Sequence, residues 1–104
     1  MGDAEDGLSG RPLIDSEVCR VDIWLWHARF VKARSLAVEL IERGRVRLTH
    51  HGQHSRLDKP SRTVRPGDVL TIALHERVVV VRVDAIGARR GPADEARGLY
   101  TLLT

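Results

Sequence analysis

Two short helical patterns, close together in the chain, are the feature that most limits how it can fold. In the first, apolar residues fall at the i, i+3, i+4 and i+7 spacing of one helix face: Val21, Trp24, Leu25 and Ala28. The second pattern repeats the helical spacing with Ala37, Leu40, Ile41 and Gly44. We expect Gly44 to end the second helix, because the residue just past a helix often needs a positive φ. The sequence therefore predicts a helix-loop-helix.

A β-rich half follows the helices. The turn Pro66-Gly67-Asp68 leads into the apolar run 69–74, and residues 78–83 are almost continuously β-branched. The short connection between these runs predicts an antiparallel pair. A few short strands are marginally stable alone, so the helices must cover one face of the sheet. The predicted fold class is α+β, with the helix-loop-helix packed on a small, mainly antiparallel β-sheet.

The final residues predict a short C-terminal helix that packs on the domain. A basic loop ends at Pro92, a residue suited to a first helical turn, and an apolar stripe follows: Ala96, Leu99 and Leu103. The chain thus divides into a flexible acidic leader over residues 1–19, one domain over 20–86, and the basic loop with its helix over 87–104. A length of 104 residues supports one modest core.

Composition indicates an ordinary globular protein. Hydrophobic residues make up 42% of the chain and charged residues 30%, and no stretch nears the roughly 20 apolar residues that span a bilayer. The single cysteine, Cys19, excludes an intramolecular disulfide and fits a reducing compartment. We therefore expect a cytoplasmic protein with no membrane partner. We also expect a monomer.

The positive charge is concentrated in the middle of the chain. Residues 1–19 hold one Arg against five acids, whereas residues 20–65 hold eleven Lys or Arg against four acids, for a net charge of +7. Residues 66–104 are balanced, with five of each sign. The helix-loop-helix and the segment after it therefore carry the excess cations, which favours a polyanionic partner over a merely solvated face.

Cations gather where the second helix should begin. Arg29, Lys32 and Arg34 surround its amino end, and Ser35 is a candidate N-cap. Free backbone N–H groups and the helix dipole favour an anion there, so cations and dipole would act together on a phosphate. Three further arginines extend this charge: Arg43, Arg45 and Arg47. The last two fall on the outward face of a short strand around Val46. A solubilising rim is the alternative interpretation.

The polar loop 49–55 contains three histidines, which raise metal and enzyme hypotheses: His50, His51 and His54. Zinc-binding histidines usually have cysteine or carboxylate partners held by regular structure, and here the nearest acid is Asp58, three residues past the loop on the same irregular stretch. A small hydrolase or metal-dependent nuclease would also need a positioned nucleophile or a carboxylate pair. The sequence therefore predicts no enzyme, no cofactor and no metal site.

An ordered series of motifs resembles the RNA-binding domain named after ribosomal small-subunit protein four. The motifs are Arg20-Val-Asp22 with Trp24-Leu25, Arg29-Phe30-x-Lys32-x-Arg34, Ala37 to Ile41, Gly44-Arg-Val46, Lys59-Pro60-Ser61, Val64 and Pro66-Gly67-Asp68. They cover residues 20–74. A second set resembles the bacterial fifteen-kilodalton heat-shock protein family: Trp24-Leu-Trp26, Arg29-Phe30, Arg89-Arg90-Gly-Pro92-Ala and Leu99-Tyr100.

This resemblance implies a free-standing RNA-binding protein that is induced by heat. It would recognise ribosomal RNA and tRNA on free large ribosomal subunits that carry a stalled nascent chain, and help to recycle them. The positions that match the family make these residues the RNA contacts: Arg20, Arg29, Lys32, Arg34, Ser35, Arg43, Arg45, Arg47, Lys59 and Arg62. Trp24 has a structural role by the same comparison.

Other nucleic-acid functions fit the same residues, and the chain departs from the family pattern at Ala33. A general nucleic-acid module without ribosome specificity is one alternative. Duplex DNA is another candidate partner, because a basic helix-loop-helix can resemble a helix-turn-helix. The strand at 78–83 argues against a DNA-binding domain made of three helices alone. The family usually has Thr where this chain has Ala33, so Ser35 would have to supply the missing hydroxyl.

Overall fold

A computed structural model of the chain describes residues 18–104. Most of the predicted leader lies outside the described residues. Cys19, which the sequence interpretation placed in the leader, lies in the first strand and pairs with Val64.

The described part of the chain contains three helices and seven strands. The helices are α1 (Val21–His27), α2 (Arg34–Glu42) and α3 (Ala93–Arg97). The strands are β1 (Cys19–Arg20), β2 (Val46–His50), β3 (Gln53–Arg56), β4 (Thr63–Val64), β5 (Val69–Ala73), β6 (Val78–Val83) and β7 (Tyr100–Leu102). Strands β1 and β4 pair in a small antiparallel sheet, and the other five form an antiparallel sheet in the order β3-β2-β5-β6-β7. The predicted α+β class is confirmed.

The core lies between the helix-loop-helix and the larger sheet. Trp24, Leu25 and Ile41 are fully buried, together with the inward residues of β2, β5 and β6. Trp24 also donates from its indole Nε1 to the carbonyl oxygen of Ala85, 2.9 Å away. Its large buried surface and its satisfied N–H give Trp24 the predicted structural role.

Both helices of the helix-loop-helix end in the same hydrogen-bonded turn. The Phe30 N–H donates to the Leu25 carbonyl at the end of α1, and the Arg45 N–H donates to the Leu40 carbonyl at the end of α2, each across 3.0 Å. This Schellman arrangement needs a left-handed residue one position earlier. Gly44 fills that position after α2, with φ of 75°, as predicted.

The predicted polar loop 49–55 is instead a β-hairpin. His50 pairs with Gln53 and Thr49 with His54, so β2 continues into β3 through the turn at His51 and Gly52. Both turn residues have positive φ, 50° and 79°, which matches the twist of a two-residue hairpin. The hairpin was missed because β3 is an exposed edge strand with almost no apolar alternation.

The C-terminal helix is present but shorter than the predicted apolar stripe. After α3 the chain returns as β7, in which Tyr100 pairs with Val83 on β6. Leu99 is buried, whereas Leu103 is 47% exposed, so these two leucines do not share a helix face. The backbone groups at the edge of β6 offered this segment hydrogen bonds that local periodicity does not reveal. Within residues 18–104, no helix is long and apolar enough to cross a membrane.

Candidate nucleic-acid interface

A buried carboxylate holds two of the predicted cations together. Asp22 lies in the first turn of α1 with its side chain fully buried, and its Oδ2 lies 3.0 Å from Nη2 of Arg20 and 3.2 Å from Nε of Arg34. The side chains of Arg20 and Arg34 are 43% and 48% exposed, so their guanidinium groups reach both the acid and solvent. Because a buried charge needs paired partners, Asp22 fixes these cations between the starts of α1 and α2.

Asp22 is the positioning residue that the sequence interpretation missed. An acid in a first helical turn usually interacts with the helix dipole, and nothing local indicated that Asp22 would also contact Arg34, twelve residues later. The sequence does place an opposite charge, Arg20, two residues before Asp22, and the two side chains form two hydrogen bonds. This short spacing was the one local indication that Asp22 orients a cation.

Lys59 and Arg62 belong to the same end of α1. The Arg62 N–H donates to the Lys59 carbonyl across 3.0 Å, which closes a turn. The Val21 N–H donates in turn to the Arg62 carbonyl across 2.7 Å, so this turn satisfies the start of α1. Both cationic side chains are exposed, and their turn adjoins the start of α1, whose N-cap residue is Arg20.

The start of α2 has the open character expected of an anion site. Ala33 is its N-cap residue, in an extended conformation, and makes no side-chain cap hydrogen bond; the first turn contains no acid. Ser35 is exposed inside the helix, so its predicted capping role is wrong. The cause is the helix boundary, because the N-cap position is Ala33, two residues earlier than the predicted one. The Leu36 N–H donates to the Ala33 carbonyl across 3.0 Å, which leaves the N–H groups of Arg34 and Ser35 and the helix dipole at this end, next to Lys32 in the chain.

Arg29 connects this region to the basic C-terminal loop. It is exposed, has φ of 66°, and donates from Nε to the carbonyl oxygen of Gly91 across 2.7 Å. Arg90 reaches the carbonyl oxygen of Val31, 3.4 Å from its Nη2. These contacts place the loop 87–92 against the connection between α1 and α2. Arg89 instead pairs with Glu95, which raises the pKa of Arg89 and lowers that of the carboxyl group through their hydrogen bond.

A second group of cations follows α2. Arg43 pairs with Glu39 across 2.8 Å, and Arg47 is exposed on β2, as predicted, whereas Arg45 is exposed just before that strand begins. Arg47 stands opposite Arg56 on β3, a cation that the sequence interpretation missed along with that strand. Like charges directly opposite each other in a sheet are unfavourable without a counterion. This group therefore extends a surface suited to a polyanion.

Two histidines of the hairpin, His50 and His54, contact polar side chains of the domain. His50 contacts the buried Asp68 through Nδ1, and Nδ1 of His54 lies 2.8 Å from the Thr49 hydroxyl oxygen. Within residues 18–104, no group of three or more His, Cys, Asp or Glu side chains is placed to hold a metal ion.

The fold and this surface define a small basic α+β domain whose helix-loop-helix carries exposed cations. A family model described as S4 domain matches residues 19–70. Heat shock protein 15 of Escherichia coli (strain K12) is 47% identical over 83 residues, which cover 78% of this chain and 57% of that protein. The RQC P-site tRNA stabilizing factor of Bacillus subtilis (strain 168) is 33% identical, over 81% of this chain and 91% of the factor.

A solved structure gives the same result. The trimeric structure of Vibrio cholerae heat shock protein 15 matches with a TM-score of 0.72 and 37% identity, covering 83% of this chain and 82% of that chain. The chain belongs to the S4 domain family, within the group of heat shock protein 15. It spans 57% of the length of the Escherichia coli relative.

Proposed function

We propose that this chain is a non-catalytic, cytoplasmic RNA-binding protein that recognises structured ribosomal RNA or tRNA. Its target is the free large ribosomal subunit that carries a stalled nascent chain, and its role is to help return such subunits to use. The names of its relatives support this proposal, since one is a heat shock protein and another a P-site tRNA stabilizing factor.

The observation that carries the proposal is the uncapped start of α2 between fixed cations. Arg34 is held by Asp22 and Arg29 by Gly91, so their guanidinium groups are oriented before any ligand arrives. Pre-orientation reduces the entropy lost on binding. Guanidinium groups and helix N–H groups both suit phosphate oxygens, so RNA would be recognised through the shape of its backbone.

The test is co-sedimentation of the protein with separated large and small ribosomal subunits at two salt concentrations. The variant Lys32→Glu with Arg45→Glu reverses two exposed cations whose side chains have no ion pair within residues 18–104. Charge reversal at Arg34 would also disturb the buried Asp22, so it would confuse binding with folding. The control Arg77→Glu with Arg97→Glu makes the same charge change outside the candidate interface.

We expect salt-sensitive binding to large subunits that the control retains and the interface variant loses. Binding to both subunits alike, or to duplex DNA with equal affinity, would replace the ribosomal role with a general nucleic-acid one. Equal loss in both variants would show that net charge alone determines binding.

We also propose that the protein is a monomer and catalyses no reaction. The Vibrio cholerae relative is described as trimeric, whereas we propose a monomer for this chain, which sedimentation equilibrium measures directly. Turnover of labelled RNA that persists in chelator and vanishes in a His50→Ala, His51→Ala, His54→Ala variant would overturn the non-catalytic proposal.

A further inference from the structure

A groove of about 450 Å³ adjoins the candidate interface, between α2 and the turn that joins β5 to β6. Its apolar wall includes Phe30, Leu36, Leu40 and Leu74. Leu36 is 44% exposed, so its side chain offers apolar surface to solvent on a different side of α2 from the buried Ala37 and Ile41. The volume lies within the range of small-ligand sites, roughly 300–1,000 Å³.

The aromatic ring in this wall is held from behind. Phe30 follows the left-handed Arg29 at the end of α1, and its ring packs against Tyr100 with centroids 4.8 Å apart and against Trp24 with centroids 6.0 Å apart. The ring is half-buried and still lines the groove. A fixed aromatic side chain of this kind is a platform on which a planar ligand can stack.

The rim of the groove is positive. Arg43 and Glu39 both line it and neutralise each other across 2.8 Å. Lys32 and Arg45 also line it and are exposed, and their side chains have no acidic partner among residues 18–104. The groove therefore offers an apolar wall with two uncompensated cations, which complements a ligand that combines a planar apolar part with negative charge.

We propose that the groove binds one unpaired nucleotide of the RNA, with its base against Phe30 and Leu36 and its neighbouring phosphates on Lys32 and Arg45. This inference rests on the proposed function, because Lys32 belongs both to the groove and to the start of α2, so a backbone bound there continues into the groove. Base stacking on an aromatic ring tolerates all four bases. The chain would then distinguish unpaired from paired nucleotides without reading sequence.

The experiment compares two RNA hairpins with the same loop. The stem of one is fully paired, and the stem of the other has one extra unpaired purine, replaced by a fluorescent analogue. Binding is measured for the wild type, for Leu36→Ser and for Val78→Ser. Val78 is 60% exposed on β6 and does not line the groove, so it controls for the loss of an exposed apolar side chain. Circular dichroism confirms that each variant is folded.

We expect the wild type and Val78→Ser to bind the hairpin with the unpaired purine about five-fold tighter or more, the lower end of base–aromatic stacking. Leu36→Ser should lose this preference and keep its affinity for the paired hairpin. Equal affinities in the wild type, or a preference that Leu36→Ser retains, would overturn the inference and leave the proposed function intact. Binding to neither hairpin would also overturn the inference, and co-sedimentation with large subunits would then decide whether the proposed function stands. Self-association of the free protein that Leu36→Ser abolishes would assign the groove to a second copy instead.

Discussion

Arg29 donates from Nε to the carbonyl oxygen of Gly91 across 2.7 Å while its own backbone has φ of 66°. A left-handed conformation is unfavourable for a residue with a Cβ by roughly 1–2 kcal/mol. The equivalent position after α2 is occupied by Gly44, which avoids that strain. The hydrogen bond to Gly91 offsets part of this cost, and it holds the loop 87–92 against the helix-loop-helix.

Two substitutions at Arg29 should separate stability from binding. Arg29→Gly removes the strain and the hydrogen bond together, so the free energy of unfolding should change by less than about 1 kcal/mol, while RNA affinity falls. Arg29→Lys keeps the strain and the charge but loses the Nε donor, so stability should fall by about 1 kcal/mol and RNA affinity should fall less. Urea denaturation and fluorescence anisotropy with RNA measure the two effects. Unfolding of Arg29→Gly would contradict this account.

Asp22 should support RNA binding although it is an acid. Asp22→Asn leaves Arg20 and Arg34 without their shared carboxylate, so we expect weaker RNA binding and a loss of about 2 kcal/mol in stability, as for hydrogen bonds to charged groups. Net charge alone predicts the opposite change in affinity. The control is Asp58→Asn, which removes the same charge from an exposed residue and should leave stability unchanged. Tighter RNA binding by Asp22→Asn would show that its positioning role is unimportant.

The stability of α2 should change on substitution of Ala33, its N-cap residue, and not on substitution of Ser35. Ala33→Thr introduces a hydroxyl at the N-cap position, where a side-chain acceptor stabilises a helix by about 1 kcal/mol. Ser35→Ala removes a hydroxyl that makes no cap hydrogen bond, so stability should change by less than about 0.5 kcal/mol. Thermal unfolding followed by circular dichroism measures both. A large loss in Ser35→Ala would mean that Ser35 caps the helix in solution.

Acid should weaken the junction between β6 and β7. A hydrogen bond from the Thr101 hydroxyl, and then one from Arg82, lowers the pKa of Asp84. A carboxyl group whose pKa is lowered on folding contributes stability at pH above its ordinary value of 3.8, and that contribution is lost as the pH falls through the folded value. Thr101→Val should raise the pKa of Asp84 and reduce the acid-induced destabilisation. Carboxyl chemical shifts followed during a pH titration measure this, and an unchanged pKa would refute it.

The parts of the fold that local sequence determines were predictable. The helix-loop-helix and the β5–β6 hairpin have clear helical or β-branched patterns, and Gly44 marks the end of α2. Strand β7 was missed because its partner, β6, supplies the hydrogen bonds and nothing in residues 100–102 requires a strand.

The candidate site shows the same division. Cations are visible in a sequence, and their concentration around α2 is the basis for the predicted surface. The groups that orient them are distant in the chain: Arg29 and Gly91 are 62 residues apart, and Asp22 contacts Arg34 across twelve. Such contacts depend on tertiary packing, so no local pattern could predict them.

The salt dependence of RNA affinity should report the number of phosphates that the protein contacts. If six of the interface cations each neutralise one phosphate, the plot of log affinity against log salt should have a slope of roughly −4 to −5. Arg47→Gln removes an exposed cation that faces Arg56, so it should make the slope less steep by about 1 and weaken binding to different RNA sequences equally. Arg97→Gln is the matched control, because Arg97 pairs with Asp94 on α3 outside the interface, and it should leave the slope unchanged. A wild-type slope near zero would mean that phosphate contacts do not drive binding, and the surface built around α2 would then need a different ligand.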